Sequence, residues 1–208
     1  MAEVVSCQKE ILPFSKDEVS KILNQADTWF SNFLAAGFYT GARTGELIAL
    51  KWQNVDLKNK KIYIDSTRGQ GGEGTTKTGK SRYVPIFDML VPYLEKQQRL
   101  TGMKRYVFLT PGGKNLQAST IYRFFWEPLL RQLNIPYRKI YTTRHTFATT
   151  MLASGKFSLN QIASMMGHSD INTLIQHYNK FIDSESMKID TNIDVFCNSF
   201  CNGVSISA

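Results

Sequence analysis

The chain is predicted to fold as one α+β domain that is mainly helical and carries a small antiparallel sheet. Its apolar residues recur at helical spacing over most of the length. Two short strand-like stretches, 61–65 and 82–86, flank a glycine-rich segment at 69–74. The 208 residues, 42% of them hydrophobic, suffice for one domain with a substantial core, and no internal repeat divides them.

Three helices are predicted before the sheet. The residues Ser15-Lys16-Asp17-Glu18 have the pattern of a capping box, which predicts a helix start. An apolar stretch at 29–39 predicts a buried helix that ends at Gly41. A short helix is predicted from Arg43 to Leu50, with Arg43 and Glu46 on a face beside the core.

The sheet is predicted from the two strand-like stretches, which are expected to pair antiparallel. The segment 69–74 between them is predicted to be too glycine-rich to hold a fixed shape unaided. A further short strand is predicted at 106–109.

The C-terminal half is predicted to be helical. The predicted helices are 119–133 with a kink at Pro128, 142–154 capped by Thr142 or Thr143, 158–166 ended by Gly167, and a fourth capped by Ser169 or Asp170. No structure is assigned to the tail after Asp190.

The net charge of +8, from 25 Lys and Arg against 17 Asp and Glu, favours a polyanionic partner. Charge alone does not separate DNA from RNA or an anionic membrane. The excess is concentrated in residues 51–82. That segment holds eight basic residues (Lys51, Lys58, Lys60, Lys61, Arg68, Lys77, Lys80, Arg82) against three acidic ones (Asp56, Asp65, Glu73). A solvated lysine-rich hairpin is the alternative interpretation.

Cysteine usage and the lack of targeting patterns favour a cytoplasmic protein without a membrane partner. Cys7, Cys197 and Cys201 are odd in number and fit no disulfide framework, which favours a reducing compartment. The first twenty residues show no signal peptide. No apolar stretch approaches the roughly 20 residues that span a bilayer.

Five short motifs carry the candidate chemistry. They are Gly41-Ala42-Arg43-Thr44-Gly45-Glu46-Leu47, Thr76-Lys77-Thr78-Gly79-Lys80, Thr143-Arg144-His145-Thr146-Phe147, Gly167-His168-Ser169-Asp170 and Gln176-His177-Tyr178. Each motif alone is weak, but in this order they closely resemble the catalytic domain of the tyrosine recombinases, the phage integrase family. The resemblance runs from about Pro13 to about Phe181.

This resemblance implies cleavage of a phosphodiester, which requires charge neutralisation, a nucleophile and a proton for the leaving oxygen. Arg43 and Arg144 would bind the phosphate, since a guanidinium donates two hydrogen bonds in fixed geometry. Tyr178 would be the nucleophile; it lies ten residues after His168, a spacing seen among phage integrases. Taken singly, each is an ordinary residue type for a helix surface or a packed helix end.

The resemblance gives the remaining catalytic roles to His168 and Lys77. His168 would hydrogen-bond the phosphate and assist proton transfer from Tyr178. Lys77 would donate the proton to the leaving 5′ oxygen. Lys80, three residues on, is its rival and a candidate for substrate binding. A phosphate clamp or a solvated lysine are the other interpretations of Lys77.

One position departs from the family. Three residues before the second arginine the family most often has histidine, whereas this chain has Tyr141. A tyrosine can still hydrogen-bond phosphate, so Tyr141 is a substrate-binding candidate; by resemblance it lies too early to be the nucleophile. Glu46 is predicted to orient Arg43 through a carboxylate–guanidinium contact.

The resemblance implies a three-part organisation and a DNA substrate. Residues 1–12 would be a linker or the start of a fragment, 13–182 the catalytic domain, and 183–208 a C-terminal tail that packs on a neighbouring protomer or on its own domain. Family members usually carry a separate DNA-binding domain before the catalytic one, and only about a dozen residues precede Pro13.

The implied reaction cuts and rejoins double-stranded DNA through a 3′-phosphotyrosyl intermediate. Four protomers are expected on synapsed DNA and a monomer for the isolated domain. No metal and no cofactor is implied: the sequence has neither clustered Asp, Glu and His residues of the two-metal type nor a phosphate-binding Gly-x-x-x-x-Gly-Lys-Ser/Thr loop. The alternatives are a type IB topoisomerase and a DNA-binding module with a weakened site, for which Tyr141 is the hint.

Overall fold

A computed structural model of the chain describes residues 12–69, 71–76 and 79–167. Three of the predicted catalytic residues, Lys77, His168 and Tyr178, lie outside the described residues, as do the predicted helix capped by Ser169 or Asp170 and the tail at 183–208.

The described residues form a mainly helical α+β domain with a small antiparallel sheet, which confirms the predicted fold class. Its α-helices are α1 (Lys16–Gln25), α2 (Thr28–Thr40), α3 (Thr44–Ala49), α4 (Val91–Thr101), α5 (Ala118–Thr120), α6 (Glu127–Gln132), α7 (Thr142–Ala153) and α8 (Leu159–Met166). Short 3-10 turns occupy Trp52–Asn54 and Asp88–Leu90.

The predicted capping box at Ser15 is confirmed. The Ser15 hydroxyl accepts a hydrogen bond from the Glu18 N–H at 3.1 Å, and the Glu18 carboxylate accepts one from the Ser15 N–H at 2.8 Å. The next helix, α2, is buried along nearly its whole length and packs against α1, α4 and α7. It ends at Gly41, as predicted, where a φ of +63° takes the chain out of the helix.

The sheet contains β1 (Val55–Asp56), β2 (Lys61–Ile64) and β5 (Arg82–Pro85) in the order β1-β2-β5. The predicted antiparallel pair is confirmed, with Ile62 opposite Val84. Both side chains are buried, whereas Tyr83 on the other face is exposed. This alternation places one face of the sheet on the core.

The glycine-rich segment 69–74 lies in a hairpin that other parts of the chain support, which agrees with the prediction that it would not hold a fixed shape unaided. Strands β3 (Ser66–Gly69) and β4 (Gly72–Thr75) form an antiparallel hairpin. Its first strand passes directly over Gly45 of α3, where an added Cβ would lie 2.5 Å from the Thr67 Oγ1 and 2.9 Å from the Arg68 carbonyl oxygen. The hairpin is therefore supported by a close contact with α3.

Ionic contacts around Glu73 attach the same hairpin to the body of the domain. The Glu73 carboxylate lies 2.5 Å from the Lys51 Nζ, accepts a hydrogen bond from the Tyr106 hydroxyl at 2.6 Å, and pairs with Arg68 at 3.2 Å. The Arg68 guanidinium also lies 4.6 Å from the centre of the Tyr106 ring. The hydrogen bond and charge of Lys51, with the bond from Tyr106, lower the pKa of Glu73 to about 2.

Two of the predicted elements need correction. Residues 106–109 form only isolated bridges, with Tyr106 opposite Lys51 and Leu109 opposite Asn115. The predicted kink at Pro128 takes the form of a π-helical segment, Ile121–Trp126, between α5 and α6. There the Glu127 N–H donates to the carbonyl five residues back, on Tyr122. The wider turn accommodates a proline, which cannot donate and would clash with the carbonyl four residues back.

Helices α7 and α8 are the last two elements of the described part of the chain. The predicted start of α8 at Ser158 and its end at Gly167 are confirmed, and Gly167 has a φ of +68°. For α7 the predicted threonine cap is wrong: Tyr141 occupies the cap position, and the Thr143 hydroxyl donates back to the Ile140 carbonyl at 2.9 Å. No helix among residues 12–69, 71–76 and 79–167 is long and apolar enough to cross a membrane.

The close approach at Gly45 generates a stability prediction. We expect Gly45→Ala to lower the free energy of unfolding by about 1–3 kcal/mol, because a methyl group there overlaps the backbone of β3. Chemical denaturation measures the loss. Gly74→Ala in the same hairpin is the matched control, since nothing lies within 4 Å of a Cβ there. Equal stability of the two variants would contradict the proposed contact.

Candidate active site

Arg43 precedes the first residue of α3, and Glu46 lies within that helix. The Glu46 carboxylate accepts two hydrogen bonds from Arg43, one from its N–H at 2.8 Å and one from its Nη1 at 3.0 Å. The Arg43 side chain keeps 20% of its surface exposed, while that of Glu46 is fully buried. The contact predicted from the sequence is present, and it leaves part of the guanidinium open to solvent.

Glu46 also receives a second guanidinium, from Arg82 of β5. The Arg82 Nη1 donates to the Glu46 Oε1 at 3.0 Å and the Nη2 donates to the Oε2 at 2.7 Å. Burial raises the pKa of this carboxyl, but the hydrogen bonds and charge of Arg82, followed by those of Arg43, hold it below its ordinary value of 4.5. Glu46 is thus a buried carboxylate with four hydrogen bonds.

Arg82 links this pair to the end of α8. Its Nε donates to the Met165 carbonyl at 2.8 Å. Its guanidinium lies against Gly167, where an added Cβ would be 2.8 Å from the Arg82 Nη1. Segments that carry the first arginine motif and the Gly167-His168 motif therefore contact the same side chain.

Arg82 belongs to the basic excess at 51–82 and begins a predicted strand, but its contact with Glu46 was not predicted from the sequence. A signal was available in the strand pattern. Side chains alternate along a strand, so Arg82 lies on the same face as Val84, which is fully buried. A charged residue on the core face of a strand predicts a buried ion pair, because an unpaired buried charge is rarely tolerated.

Arg144, the second predicted phosphate ligand, lies on α7 and is 1% exposed. Its Nη1 donates to the Gly41 carbonyl at 2.6 Å, two residues before Arg43. Its Nε and Nη2 are buried and have no hydrogen-bond partner among the residues that the structure describes. Two donors of a buried cation are therefore available to an anion.

Gly41 makes this approach possible. An added Cβ at Gly41 would lie 2.5 Å from the Phe147 ring, so α7 packs directly on the end of α2. Phe147 is three residues after Arg144 and therefore on the same side of α7. The packing that requires a glycine also brings the Arg144 guanidinium to the Gly41 carbonyl.

The electrostatic surroundings of Arg144 show that the site is one cluster. Burial, and then the positive charges of Arg43 and Arg82, lower the pKa of Arg144 to about 10, while Tyr141 and Glu46 act in the opposite direction. The guanidinium stays charged at neutral pH. Three guanidiniums face one carboxylate, so the cluster has a net charge of +2.

Tyr141 lies at the rim of this cluster. It is 40% exposed, and its ring contacts His145 edge-on with 5.0 Å between the ring centres. Its carbonyl accepts the Arg144 N–H at 3.1 Å. The phenol is accessible from solvent beside the buried arginine, and its role in substrate binding stays a prediction.

Lys80, one of the two candidate lysines, lies just before β5. Lys80 is exposed, and its carbonyl accepts a hydrogen bond from the buried Thr76 hydroxyl at 2.7 Å. The Gly79 N–H donates to the Thr76 carbonyl at 2.8 Å. Lys77 lies outside the described residues, so the choice between Lys77 and Lys80 stays open.

The basic excess at 51–82 is partly neutralised inside the fold. Lys51 and Arg68 pair with Glu73, and Arg82 pairs with Glu46. No group of three or more His, Cys, Asp and Glu residues that could hold a metal occurs in the described part of the chain.

The pairing of Glu46 generates a pH prediction. Because its pKa is lowered by folding, the stabilisation is fully present above about pH 4.5 and is lost as the pH falls through the lower folded-state value. We expect Glu46→Gln to destabilise the domain at neutral pH by on the order of 2 kcal/mol. Chemical denaturation at several pH values should show this difference shrink below pH 4.5.

Glu127→Gln is the control for that experiment. Glu127 pairs with Arg131 on the surface of α6, where the two side chains are 50% and 79% exposed. Such a pair contributes about 0–1 kcal/mol, so the control should lie close to wild type at every pH. A Glu46→Gln difference that is small or independent of pH would contradict the role of this carboxylate.

The comparisons with known proteins agree with this architecture. The profile of the phage integrase family matches residues 13–185. A XerC-like tyrosine recombinase from Caldanaerobacter subterraneus subsp. tengcongensis is 29% identical over 220 residues, covering 91% of this chain and 56% of the relative. The chain thus spans about half the length of the curated relatives that it matches.

Two solved structures are similar in fold. The Tn1549 transposon integrase in complex with a circular intermediate DNA superposes with a TM-score of 0.73 at 20% identity, covering 83% of this chain and 62% of the integrase. The XerA recombinase gives a TM-score of 0.69 at 25% identity, with 85% and 62% covered. With the family profile matching most of its length, the chain belongs to the phage integrase family.

Proposed function

We propose that this chain is the catalytic domain of a site-specific DNA recombinase that cuts and rejoins DNA through a 3′-phosphotyrosyl intermediate at Tyr178. The observation that carries the proposal is the half-satisfied guanidinium of Arg144. Its buried Nε and Nη2 need an acceptor, and the neighbouring cluster has a net positive charge. A phosphate diester, with two non-bridging oxygens and one negative charge, satisfies both requirements.

The two arginines would act together on the phosphate. Arg144 is held by the Gly41 carbonyl, and Arg43 is held by Glu46, so neither guanidinium needs to reorganise when charge builds up on phosphorus. Glu46 neutralises only part of the positive charge, since Arg43 and Arg82 both contact it and Arg144 adds a third positive charge at longer range. The site therefore favours a species more negative than the ground-state diester, such as the pentavalent transition state.

The reaction that we propose is the one that the family resemblance implies for Tyr178, Lys77 and His168. The Tyr178 oxygen attacks phosphorus while the bond to the 5′ oxygen breaks, and Lys77 donates a proton to that oxygen. His168 hydrogen-bonds the phosphate and assists removal of the Tyr178 proton. The phosphotyrosyl bond keeps the energy of the broken diester, so an incoming 5′ hydroxyl can reverse the step without a high-energy cofactor.

The partner that we propose is double-stranded DNA. The similar Tn1549 integrase was solved with circular intermediate DNA, which supports this assignment. We further propose residues 13–182 as the catalytic domain, four protomers on synapsed DNA, and a monomer for this domain alone. The tail at 183–208 would add to the contacts between protomers.

The first test of this function asks whether Tyr178 is the nucleophile. We expect Tyr178→Phe to abolish covalent attachment to a nicked suicide substrate, because it removes the attacking oxygen. Affinity for the duplex should stay within about twofold, since basic contacts to phosphates dominate binding. The assay is run in excess EDTA, where wild type should remain active because arginines supply the positive charge.

Four outcomes argue against the proposal, three from that assay and one from an assay on supercoiled DNA. An adduct from Tyr178→Phe would move the nucleophile, with Tyr141 as the next candidate. Cleavage that needs added magnesium would contradict the family mechanism. Absence of an adduct from wild type would leave a DNA-binding module, and relaxation of supercoiled DNA without exchange between two sites would favour a type IB topoisomerase.

The second test separates the proton donor from the phosphate ligands. We expect Lys77→Ala to slow cleavage by about 10²–10⁴-fold, the usual contribution of a general acid. Sulfur in place of the leaving 5′ oxygen needs no proton, so that substrate should restore the Lys77→Ala rate. Single-turnover cleavage of the two substrates measures the rescue.

The controls for rescue are Arg43→Ala and Arg144→Ala, which lack charge neutralisation and should stay slow on both substrates. Rescue of Lys80→Ala instead of Lys77→Ala would move the proton donor three residues along the chain. Rescue of all four variants would mean that sulfur relieves every defect and that Lys77 has no special role.

A further inference from the structure

We infer that Arg82 is a positioning residue for the cleavage step. Its side chain holds the first arginine motif, residues 41–47, and the end of α8 in a fixed relative position. This inference rests on the proposed function and extends it to a residue outside the five motifs. Arg82 does not need to touch the phosphate for this role, because its contacts are to residues that border the site.

The contacts of Arg82 span three separate parts of the chain. It lies on β5, and two of its nitrogens donate to the Glu46 carboxylate on α3. Its third donor, Nε, is bonded to the Met165 carbonyl at the end of α8. Its side chain is only 8% exposed, so these contacts are made away from water. One side chain therefore fixes the distance between α3, β5 and α8.

Each of the three parts adjoins a predicted catalytic residue in sequence. Glu46 holds the Arg43 guanidinium. Arg82 itself is five residues after Lys77, and Gly167 directly precedes His168. A shift of about 1 Å in a reacting group can lower the rate on the order of 10²-fold. Contacts that fix the positions of these three parts therefore affect the rate of cleavage directly.

The geometry is specific for arginine. A planar guanidinium can donate two parallel bonds to a carboxylate and a third bond from Nε in another direction. Lysine offers one nitrogen at the end of a flexible chain, so it cannot reproduce the fork and the Met165 bond together. Gly167 is also required, because its missing Cβ leaves room for the guanidinium.

Arg82 also sets the charge state of Glu46. The carboxylate is faced by Arg43 from the start of α3, by Arg82 from β5 and, at longer range, by Arg144 from α7. Burial opposes its ionised form, and Arg82 makes the largest contribution in favour of that form. Without Arg82, Glu46 would protonate at a higher pH and would then release the Arg43 guanidinium.

The first test is Arg82→Lys in this chain, which keeps the charge and removes the fork. We expect single-turnover cleavage of the suicide substrate at saturating DNA to fall by about 10–100-fold. The dissociation constant for DNA should stay within about threefold, because no phosphate contact is removed. Arg131→Lys on the surface of α6 is the matched control and should behave as wild type. A wild-type rate for Arg82→Lys would overturn the inference.

The second test is the pH profile of Arg82→Gln relative to wild type. The ratio of the variant's cleavage rate to that of wild type should fall as the pH falls, because loss of Arg82 raises the pKa of Glu46 in the variant while wild-type Glu46 stays ionised. Adding Glu46→Gln should remove this pH dependence while leaving the rate low, and it also avoids an unpaired buried carboxylate if the single variant folds poorly. A ratio that is flat in the single variant would overturn the inference.

A third measurement does not depend on activity. Hydrogen exchange of the amides at the end of α8, Met165 to Gly167, should accelerate in Arg82→Lys and remain unchanged in Arg131→Lys. Unchanged exchange would overturn the positioning role. A wild-type chain that forms no adduct would instead overturn the proposed function, so the two failures are distinguishable.

Discussion

The carboxylate of Glu46 is the contact on which the arrangement of this site depends. It is fully buried, and a buried carboxylate is tolerated only when its acceptors are satisfied. Arg43 supplies two hydrogen bonds and Arg82 supplies two more. Because these donors come from different parts of the chain, satisfying the carboxylate also fixes α3 against β5.

In contrast to Glu46, the neighbouring Arg144 has hydrogen-bonding groups that are buried without a partner in the described residues. One of its nitrogens is held by the Gly41 carbonyl, while two others are buried without a partner in the described residues. Unsatisfied buried donors on a cation destabilise a fold, so this arrangement is a local departure from the pairing seen at Glu46. Such departures are expected where a ligand completes the site.

Much of the fold could be predicted from the sequence because its signals are local. The capping box at Ser15, the helix end at Gly41 and the strand at 82–86 depend on neighbours in sequence, and all are confirmed, the strand as β5 (Arg82–Pro85). The motif residues were found by resemblance, and the structure places Arg43, Glu46, Arg144 and Tyr141 in one region.

The features that were missed depend on contacts between distant residues. The hairpin at 66–75 is supported by Gly45 on one side and by Lys51 and Tyr106 on another, and glycine content alone could not identify these partners. Arg82 was missed because its partners, Glu46 and Met165, are 36 and 83 residues away in sequence. A local sequence pattern can indicate that a charged residue is buried, but it cannot identify the distant residue that pairs with it.

The ionic attachment of the hairpin affects how salt titrations of this protein should be interpreted. Added salt screens partly exposed ion pairs such as those of Glu73 as well as contacts between lysine or arginine and phosphate. The slope of affinity against salt concentration is usually converted into a number of phosphate contacts. For the proposed DNA partner, the same titration would also weaken the ion pairs that hold the hairpin packed on α3. The slope would then combine the loss of intramolecular pairs with the loss of contacts to phosphate.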